Sequence, residues 1–310
     1  MDYKSAGVNV ELADNLIKKI SGVSDQIGKF AAEFELDKKM NRQLVASCDG
    51  VGTKIMLAKY AKNKFNRSLF SIGVDCVAMV VNDLLCENAT PLFFMDYFAT
   101  NSLEESDYLE VIEGINSSCK SYNIALIGGE TAELPGMFTQ DHFDVCGFGV
   151  GTKDFLDWYP VKEGDLVIGL HSSGIHSNGF SLVRKLLDTE ACSEVFLNKL
   201  LEPTKIYIND IVNLKNNYFS IKKLVHITGG GFDNIDRVLP SKFCIKWDQE
   251  KSFYSNEEIF TWIQNESELD KQQMQKTFNC GIGMIVILEQ HRKDFLPLND
   301  YTILGEIVSP

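Results

Sequence analysis

Residues 91–98 read PLFFMDYF, residues 103–121 read LEESDYLEVIEGINSSCKS, and residues 124–127 read IALI before the pair Gly128-Gly129. The two outer runs are short, apolar and rich in aromatic or branched residues, as buried strands are. The middle run has the length and mixed polarity of a helix. Strand, helix and strand in succession place the chain in the mixed α and β class.

Working outward, Leu44 to Cys48 reads as a further buried strand, and Val10 to Lys18 as an early helix. From Phe70 to Leu85, Val74, Val77, Ala78, Val81 and Leu85 recur at helical spacing. Phe143 to Gly151 reads as a strand. A composition shift over residues 153–164, with Trp158-Tyr159-Pro160 before Lys162-Glu163-Gly164-Asp165, marks a domain boundary and divides the chain into 1–157 and 158–310. Beyond it, strands are expected at Leu166 to Leu170, Leu224 to Ile227 and Met284 to Leu288. Helices are expected at Asn178 to Leu187, Lys205 to Leu214 and Asn256 to Gln275. A length of 310 residues suits two domains.

Lys plus Arg is 30 against 43 Asp plus Glu, a net charge of −13. That balance argues against broad binding to nucleic acid or anionic membranes, because no basic excess is available. An anionic small substrate would need local lysines, backbone N–H groups or a divalent metal. The longest apolar runs, such as Met284 to Leu288, are too short to span a bilayer, and residues 1–7 lack the apolar core of a signal peptide. Eight scattered cysteines form no C-x-x-C pair, so reduced thiols and a cytoplasmic location are expected.

Four glycine-rich segments carry polar groups at the ends of elements. In Asp49-Gly50-Val51-Gly52-Thr53-Lys54 the glycines permit close backbone approach to a ligand, Lys54 supplies positive charge, and Asp49 offers oxygens to a divalent cation. The spacing is not that of a P-loop. Asp75 interrupts an apolar helical run, where a carboxylate must be at the helix start, paired or metal-bound. Asn82 and Asp83 follow about two turns later, near the same face, where joint metal binding is possible. Gly128-Gly129-Glu130 places a carboxylate after a strand, before the turn Pro135-Gly136. In the second half, Ser172-Ser173-Gly174-Ile175-His176-Ser177-Asn178-Gly179 and His226-Ile227-Thr228-Gly229-Gly230-Gly231 each lead into a helix, a place where free N–H groups can hold an anion. Each could equally be a tight turn or a helix cap. There is no Ser-His-Asp arrangement and no first-strand G-x-G-x-x-G. The residues alone point to a magnesium-nucleotide enzyme.

Taken together and in order, these segments resemble the phosphoribosylformylglycinamidine cyclo-ligase (aminoimidazole ribonucleotide synthetase) family. The resemblance covers Tyr3 to Val8, D-G-V-G-T-K at 49–54, Gly73-Val74-Asp75, Val81 to Leu84, and Pro91 to Tyr97. It continues with G-G-E-T-A-E-L-P-G-M at 128–137, S-S-G-I-H-S-N-G at 172–179, Pro203 to Tyr207, H-I-T-G-G-G-F at 226–232 and T-F-N-C-G-I-G-M at 277–284. It implies a homodimer whose N-terminal domains join strands into a shared β-barrel, each carrying a C-terminal α/β domain. It implies ATP-dependent closure of formylglycinamidine ribonucleotide to aminoimidazole ribonucleotide, with ADP and phosphate released.

It further implies that Asp49 and Asp75 hold Mg2+ on the ATP phosphates, with Asn82 and Glu130 as further donors. Lys54 and Lys4 neutralise phosphate oxygens in this reading, and Gly50, Gly52 and Thr53 line the nucleotide. His176 and Asn178 contact substrate. His226 with Thr228, Gly229 and Gly230 faces a phosphate, and Lys54, His176 and His226 are the catalytic candidates. Asp49, Asp75 and Glu130 are thus expected to share one cavity. Thiamine-phosphate kinase, selenophosphate synthetase and a hydrogenase-maturation enzyme share the wider resemblance, and a catalytically silent nucleotide-binding protein is the reading from another class. The chain departs from the expected pattern at Ser47-Cys48, where Gly-Thr is frequent, at Asn9, where Asp is common, and at Ile175, where Pro is common.

Overall fold

The computed structural model describes residues 15, 30–37, 42–138, 142–154, 158–187, 191–217, 219–248, 257–290 and 296–310. Lys4 and, apart from Asn15, the helix expected at 10–18 lie outside these residues.

The first half runs β1 (Ala32–Asp37), β2 (Arg42–Gly50), α1 (Lys54–Phe65), α2 (Phe70–Cys86), β3 (Thr90–Thr100), α3 (Glu105–Ser121), β4 (Ala125–Glu133) and β5 (Phe143–Asp154). The second runs β6 (Leu166–His171), α4 (Phe180–Leu186), α5 (Glu194–Leu200), α6 (Ile208–Asn216), β7 (Ile221–His226), a 3-10 helix (Gly231–Arg237), β8 (Cys244–Trp247), α7 (Glu257–Ser267), α8 (Lys271–Thr277), β9 (Ile282–Leu288) and β10 (Tyr301–Val308).

The first sheet has the order β1-β2-β5-β3-β4. Only β3 and β4 pair in parallel, joined across α3, and the other pairs are antiparallel. One face packs Phe94, Phe98 and Val145 against α2 and α3. The other face leaves Phe34 and Phe148 exposed. The second sheet, β7-β9-β6-β10-β8, is antiparallel throughout. Its central strand β9 is buried at every position, which is why it reads as an unbroken apolar run.

The halves share a core. Phe180, Leu182, Leu197, Leu200, Ile259 and Phe278 from the second half join Ile55, Leu57, Ile72 and Val81 from the first. Leu85 and Cys86 at the end of α2 belong instead to the core of the second sheet, where Trp158 Nε1 donates to the Cys86 carbonyl at 2.8 Å. Helix α2 is therefore buried on nearly all sides, and any polar group on it needs a built-in partner.

Helices α2 and α3 cross with their backbones in contact. A Cβ on Gly73 would lie 2.1 Å from the Val111 carbonyl oxygen, and one on Gly114 the same 2.1 Å from that of Phe70. Since backbone must move to admit it, Gly73→Ala is expected to cost about 2–3 kcal/mol. A fall in the urea midpoint at unchanged slope would check this.

Two readings need correction. The strand at 124–127 does not stop at its glycine pair but runs on to Glu133. It can do so because Gly129 has no side chain: a Cβ there would sit 2.5 Å from Asp96 Oδ1 on the neighbouring strand. The helix expected at 256–275 is two helices. The chain breaks at Glu268, whose φ of 58° is left-handed, and restarts at Asp270, which accepts from Gln273 N while the Gln273 side chain accepts from Asp270 N. The helix expected after the turn at 229–231 is present and is of the 3-10 type.

Candidate active site

Lys54 is the first residue of α1 and is fully buried. Its Nζ lies 3.0 Å from Asp75 Oδ1 and 2.8 Å from Oδ2, and it donates to the Glu202 carbonyl at 2.8 Å. Burial lowers its pKa, and the Asp75 charge works in the opposite direction. Asp75 Oδ1 also accepts from Thr204 N at 2.7 Å and Thr204 Oγ1 at 2.6 Å. Oδ2 has no directed hydrogen bond and is compensated by the adjacent ammonium charge. Thr204 Oγ1 is 3.1 Å from Ser177 Oγ. This cluster clamps segment 202–204 of the second half onto α1 and α2 of the first.

Seven residues along α2, Asn82 comes round to the same segment. Its Oδ1 accepts from Tyr207 N at 3.1 Å and its Nδ2 donates to the Lys205 carbonyl at 2.9 Å. Nδ2 also lies 3.4 Å from His226 Nε2, and His226 Nδ1 lies 2.8 Å from Asp83 Oδ1. These partners fix the tautomer: Nδ1–H donates to Asp83, and Nε2 accepts from Asn82. His226 is fully enclosed, whereas the Asp83 side chain keeps 14% exposure.

Asp49 is the last residue but one of β2, with its Oδ1 accepting from Gly50 N at 2.8 Å. Its carboxyl is pushed up from 3.8 to about 6, first by burial and then by the Asp83 carboxylate, against the pull of the Gly50 N–H and His226. Two acidic groups thus share one partly enclosed place. A second carboxyl, Asp96, stands in the same row of the sheet, since Asp49 and Asp96 both face Gly147 across β5, and burial raises it to about 6 as well.

Strand β7, which ends at His226, leads directly into the glycine turn. Gly231 N donates to the Thr228 carbonyl at 2.8 Å, and Asn234 Nδ2 ties down the Gly229 and Gly231 carbonyls at 3.3 and 2.9 Å. Gly230 and Gly231 have φ of 92° and 57°. A Cβ on Gly229 would lie 3.4 Å from Asn178 Oδ1, so the two glycine segments of the second half meet here. Thr53 Oγ1 is 3.1 Å from Ser181 Oγ, which brings the D-G-V-G-T-K loop against the same half.

The expected grouping of Asp49, Asp75 and Glu130 is not what the fold builds. Among the described residues no three His, Cys, Asp or Glu side chains gather as a metal-ligand set. Asp75 is paired with Lys54 and Thr204. Both ends of the Asn82 amide are used by the 205–207 backbone. Glu130 lies on β4, three strands from β2 and exposed. Glu130 pairs with Tyr97, one residue on from the Asp96–Gly129 row, so it faces away from Asp49.

His176 also turns inward. It has a left-handed φ of 65°, and its Nε2 accepts from Ser173 N at 3.3 Å and Lys205 N at 3.5 Å. Burial holds its pKa well below the ordinary value, so it is neutral. Its Nδ1 has no hydrogen-bond partner among the described residues. Sequence reading placed Thr204 and Tyr207 in a resembling segment but gave them no role, because their roles rest on backbone N–H groups that meet α2 only after folding. A cavity of about 890 Å³ between the 3-10 helix, β8 and α8 is lined by Phe232, Trp247 and Lys271 and contains none of these groups.

Family models match the chain in two blocks: the N-terminal domain of AIR synthase related protein over residues 28–152, and its C-terminal domain over 162–308. The chain belongs to the AIR synthase related protein family. It is 43% identical to the phosphoribosylformylglycinamidine cyclo-ligase of Thermoanaerobacter pseudethanolicus, over 93% of this chain and 90% of the relative. It is 40% identical to that of Methylobacillus flagellatus, over 93% and 87%. Among solved structures, thiamine monophosphate kinase from Aquifex aeolicus aligns with a TM-score of 0.66 at 17% identity, over 99% of this chain and 95% of that one. The hydrogenase maturation protein HypE of E. coli aligns with a TM-score of 0.62 at 16% identity, over 97% and 91%. At such identities these two show the fold that AIR synthase-related chains share with them.

Proposed function

We propose that this chain is a phosphoribosylformylglycinamidine cyclo-ligase. It converts formylglycinamidine ribonucleotide and ATP to aminoimidazole ribonucleotide, ADP and phosphate in de novo purine biosynthesis. The formyl oxygen of the substrate accepts the γ-phosphoryl group, the ribose-linked nitrogen closes on the activated carbon, and phosphate leaves. An amide oxygen is a poor leaving group and phosphate a good one, so the protein's task is positioning and charge neutralisation.

The observation that carries this reading is the Asp49–Asp83 pair beside the glycine turn at 228–230, in a family whose named relatives are cyclo-ligases. Mg2+ asks for one or two carboxylates and takes its other ligands from water and phosphate. Two crowded acidic groups, one of them with its carboxyl raised by burial and then by the other, fit that demand. When bound, the ion would neutralise phosphate charge. Asp49 and Asp83 would hold it, with His226 orienting Asp83. Thr228, Gly229, Gly230 and Asn178 would meet a phosphate, and Gly50, Gly52 and Thr53 the nucleotide. A solved structure of the same fold is described as complexed with AMPPCP and TMP, which supports nucleotide binding here. Lys4 remains a proposed phosphate contact. The exposed Phe34 and Phe148 face of the first sheet supports a homodimer that closes a barrel across it. The division into 1–157 and 158–310 and a cytoplasmic location complete the proposal.

The test mixes purified protein, Mg-ATP and formylglycinamidine ribonucleotide and follows ADP and the imidazole product. ADP without imidazole would reassign the chain to another phosphoryl transfer, and neither product would favour a silent nucleotide binder.

The raised Asp49 carboxyl also sets a pH dependence. A carboxyl held above its free value favours the folded state while protonated. That contribution is full below 3.8 and is lost as pH rises through about 6. Cation binding runs the other way, because it needs the carboxylate. Mg-ATP should therefore raise Tm markedly near pH 7 and little near about pH 5. Equal shifts at both would remove Asp49 from the cation site.

A further inference from the structure

Asn82 sits on α2 about two turns past Asp75 and is fully buried. Its described side-chain hydrogen bonds all go to the second half. Oδ1 accepts from Tyr207 N at 3.1 Å, Nδ2 donates to the Lys205 carbonyl at 2.9 Å, and Nδ2 lies 3.4 Å from His226 Nε2. The two ends of an amide have the same shape, and here the backbone settles which is which. A peptide N–H only donates and a peptide carbonyl only accepts, so the amide oxygen faces Tyr207 and the nitrogen faces Lys205. The second amide hydrogen is then left for His226. Its Nε2 must accept, its proton sits on Nδ1, and Nδ1–H donates to Asp83 Oδ1 at 2.8 Å. The direction of every bond in this row follows from the backbone of 205–207. That backbone belongs to the segment between α5 and α6, which Lys54 and Asp75 also hold, at the Glu202 carbonyl and Thr204 N.

We propose that Asn82 is a positioning residue: it carries the polarity of the 205–207 backbone through His226 to Asp83, and so fixes how that carboxylate is presented to a cation. This role rests on the cation site proposed above, at Asp49 and Asp83. It differs from direct ligation. A hard cation takes an amide by its oxygen, and the Asn82 oxygen is already given to Tyr207 N.

Asn82→Asp separates the two roles. The carboxylate keeps an oxygen for Tyr207 N, has no hydrogen for His226 or for the Lys205 carbonyl, and adds negative charge. A cation ligand would gain from that change, whereas a donor to His226 is lost by it.

The first measurement uses the parent protein without metal. Nitrogen-15 labelling of its five histidines, with His226 assigned by the signal missing from His226→Gln, reads the tautomer by NMR. A protonated Nδ1 and a bare Nε2 are expected at His226, and a proton on Nε2 would overturn the relay. In Asn82→Asp, held below its Tm, Nε2 should become protonated. Mg-ATP should then bind about 10–100-fold more weakly by equilibrium dialysis, the usual loss when a residue behind a metal ligand is changed. Binding at least as tight as the parent's would overturn the proposal, and so would weaker binding with the His226 nitrogens unchanged. Should Asn82→Asp fail to fold, the tautomer of the parent still decides. A parent protein that binds no Mg-ATP would dismiss the cation site itself and with it the coupling, while its His226 tautomer would still report which way Asn82 directs the row.

Discussion

Asp49→Asn is expected to lower turnover by about 10²–10³-fold while leaving thermal unfolding unchanged or slightly improved. The substitution keeps the shape of the side chain and an oxygen to accept from Gly50 N. What it removes is the negative charge, and the fold does not profit from that charge. Burial and the Asp83 carboxylate already push the Asp49 carboxyl up to about 6, so near neutral pH the folded protein holds an anion in an unfavourable place. A group kept against its own stability is characteristic of a site whose use is binding or catalysis. Asp83→Asn should act by removing one anionic oxygen from the cation site, while its amide oxygen can still accept from His226 Nδ1. The Asp49 carboxyl should then titrate closer to the ordinary carboxylate range, which carboxyl-labelled NMR would show. An Asp49→Asn protein that turns over at the parent rate would dismiss this carboxyl from the reaction.

Much of the fold could be read because its apolar spacing was regular. Helix α2 was expected at Phe70 to Leu85 and spans Phe70–Cys86, and β9, wholly apolar, was equally plain. Elements whose burial is one-sided or partial were missed. Strand β10 is half-buried except at Leu304 and Ile307, and a register shift between Ile303 and Gly305 interrupts its pairing with β6. Helix α1 was not anticipated: only its first residue, Lys54, was read, as the end of the glycine loop at 49–54.

The site was legible by residue type and not by partner. Asp75 in an apolar helix had to be paired or metal-bound, and it is paired, with a lysine 21 positions earlier that chemistry alone would have pointed at a phosphate. Sequence reveals that a buried carboxylate needs a counter-charge. It does not reveal which of several cations the fold will bring. Glu130 failed for a different reason: a strand alternates its faces, and a continuation of β4 through Gly128 and Gly129 put Glu130 on the side away from Asp49. Had the strand stopped at the glycines, as a loop reading assumes, the carboxylate could have turned inward.

Lys54→Met tests this assignment with the largest expected cost to stability. The substitution leaves the Asp75 carboxylate enclosed, with Thr204 donating to one oxygen and no cation beside the other. Breaking a buried ion pair from one side costs about 3–5 kcal/mol, because the surviving charge stays out of water. For a chain of this size that corresponds to a drop in Tm of order 10 °C. The double variant Lys54→Met with Asp75→Asn removes both charges and keeps an oxygen for Thr204, so it should regain most of the loss. Kinetics then separate a brace from a phosphate ligand. If Lys54 braces the two halves, the double variant, assayed below its Tm, should keep a KM for ATP within a few-fold of the parent. If the ammonium instead neutralises phosphate, KM should rise by one to two orders of magnitude in both variants, whatever their stability. Full enclosure of Nζ between Asp75 and the Glu202 carbonyl leaves it no path to a ligand in this conformation, and the first outcome is the one expected.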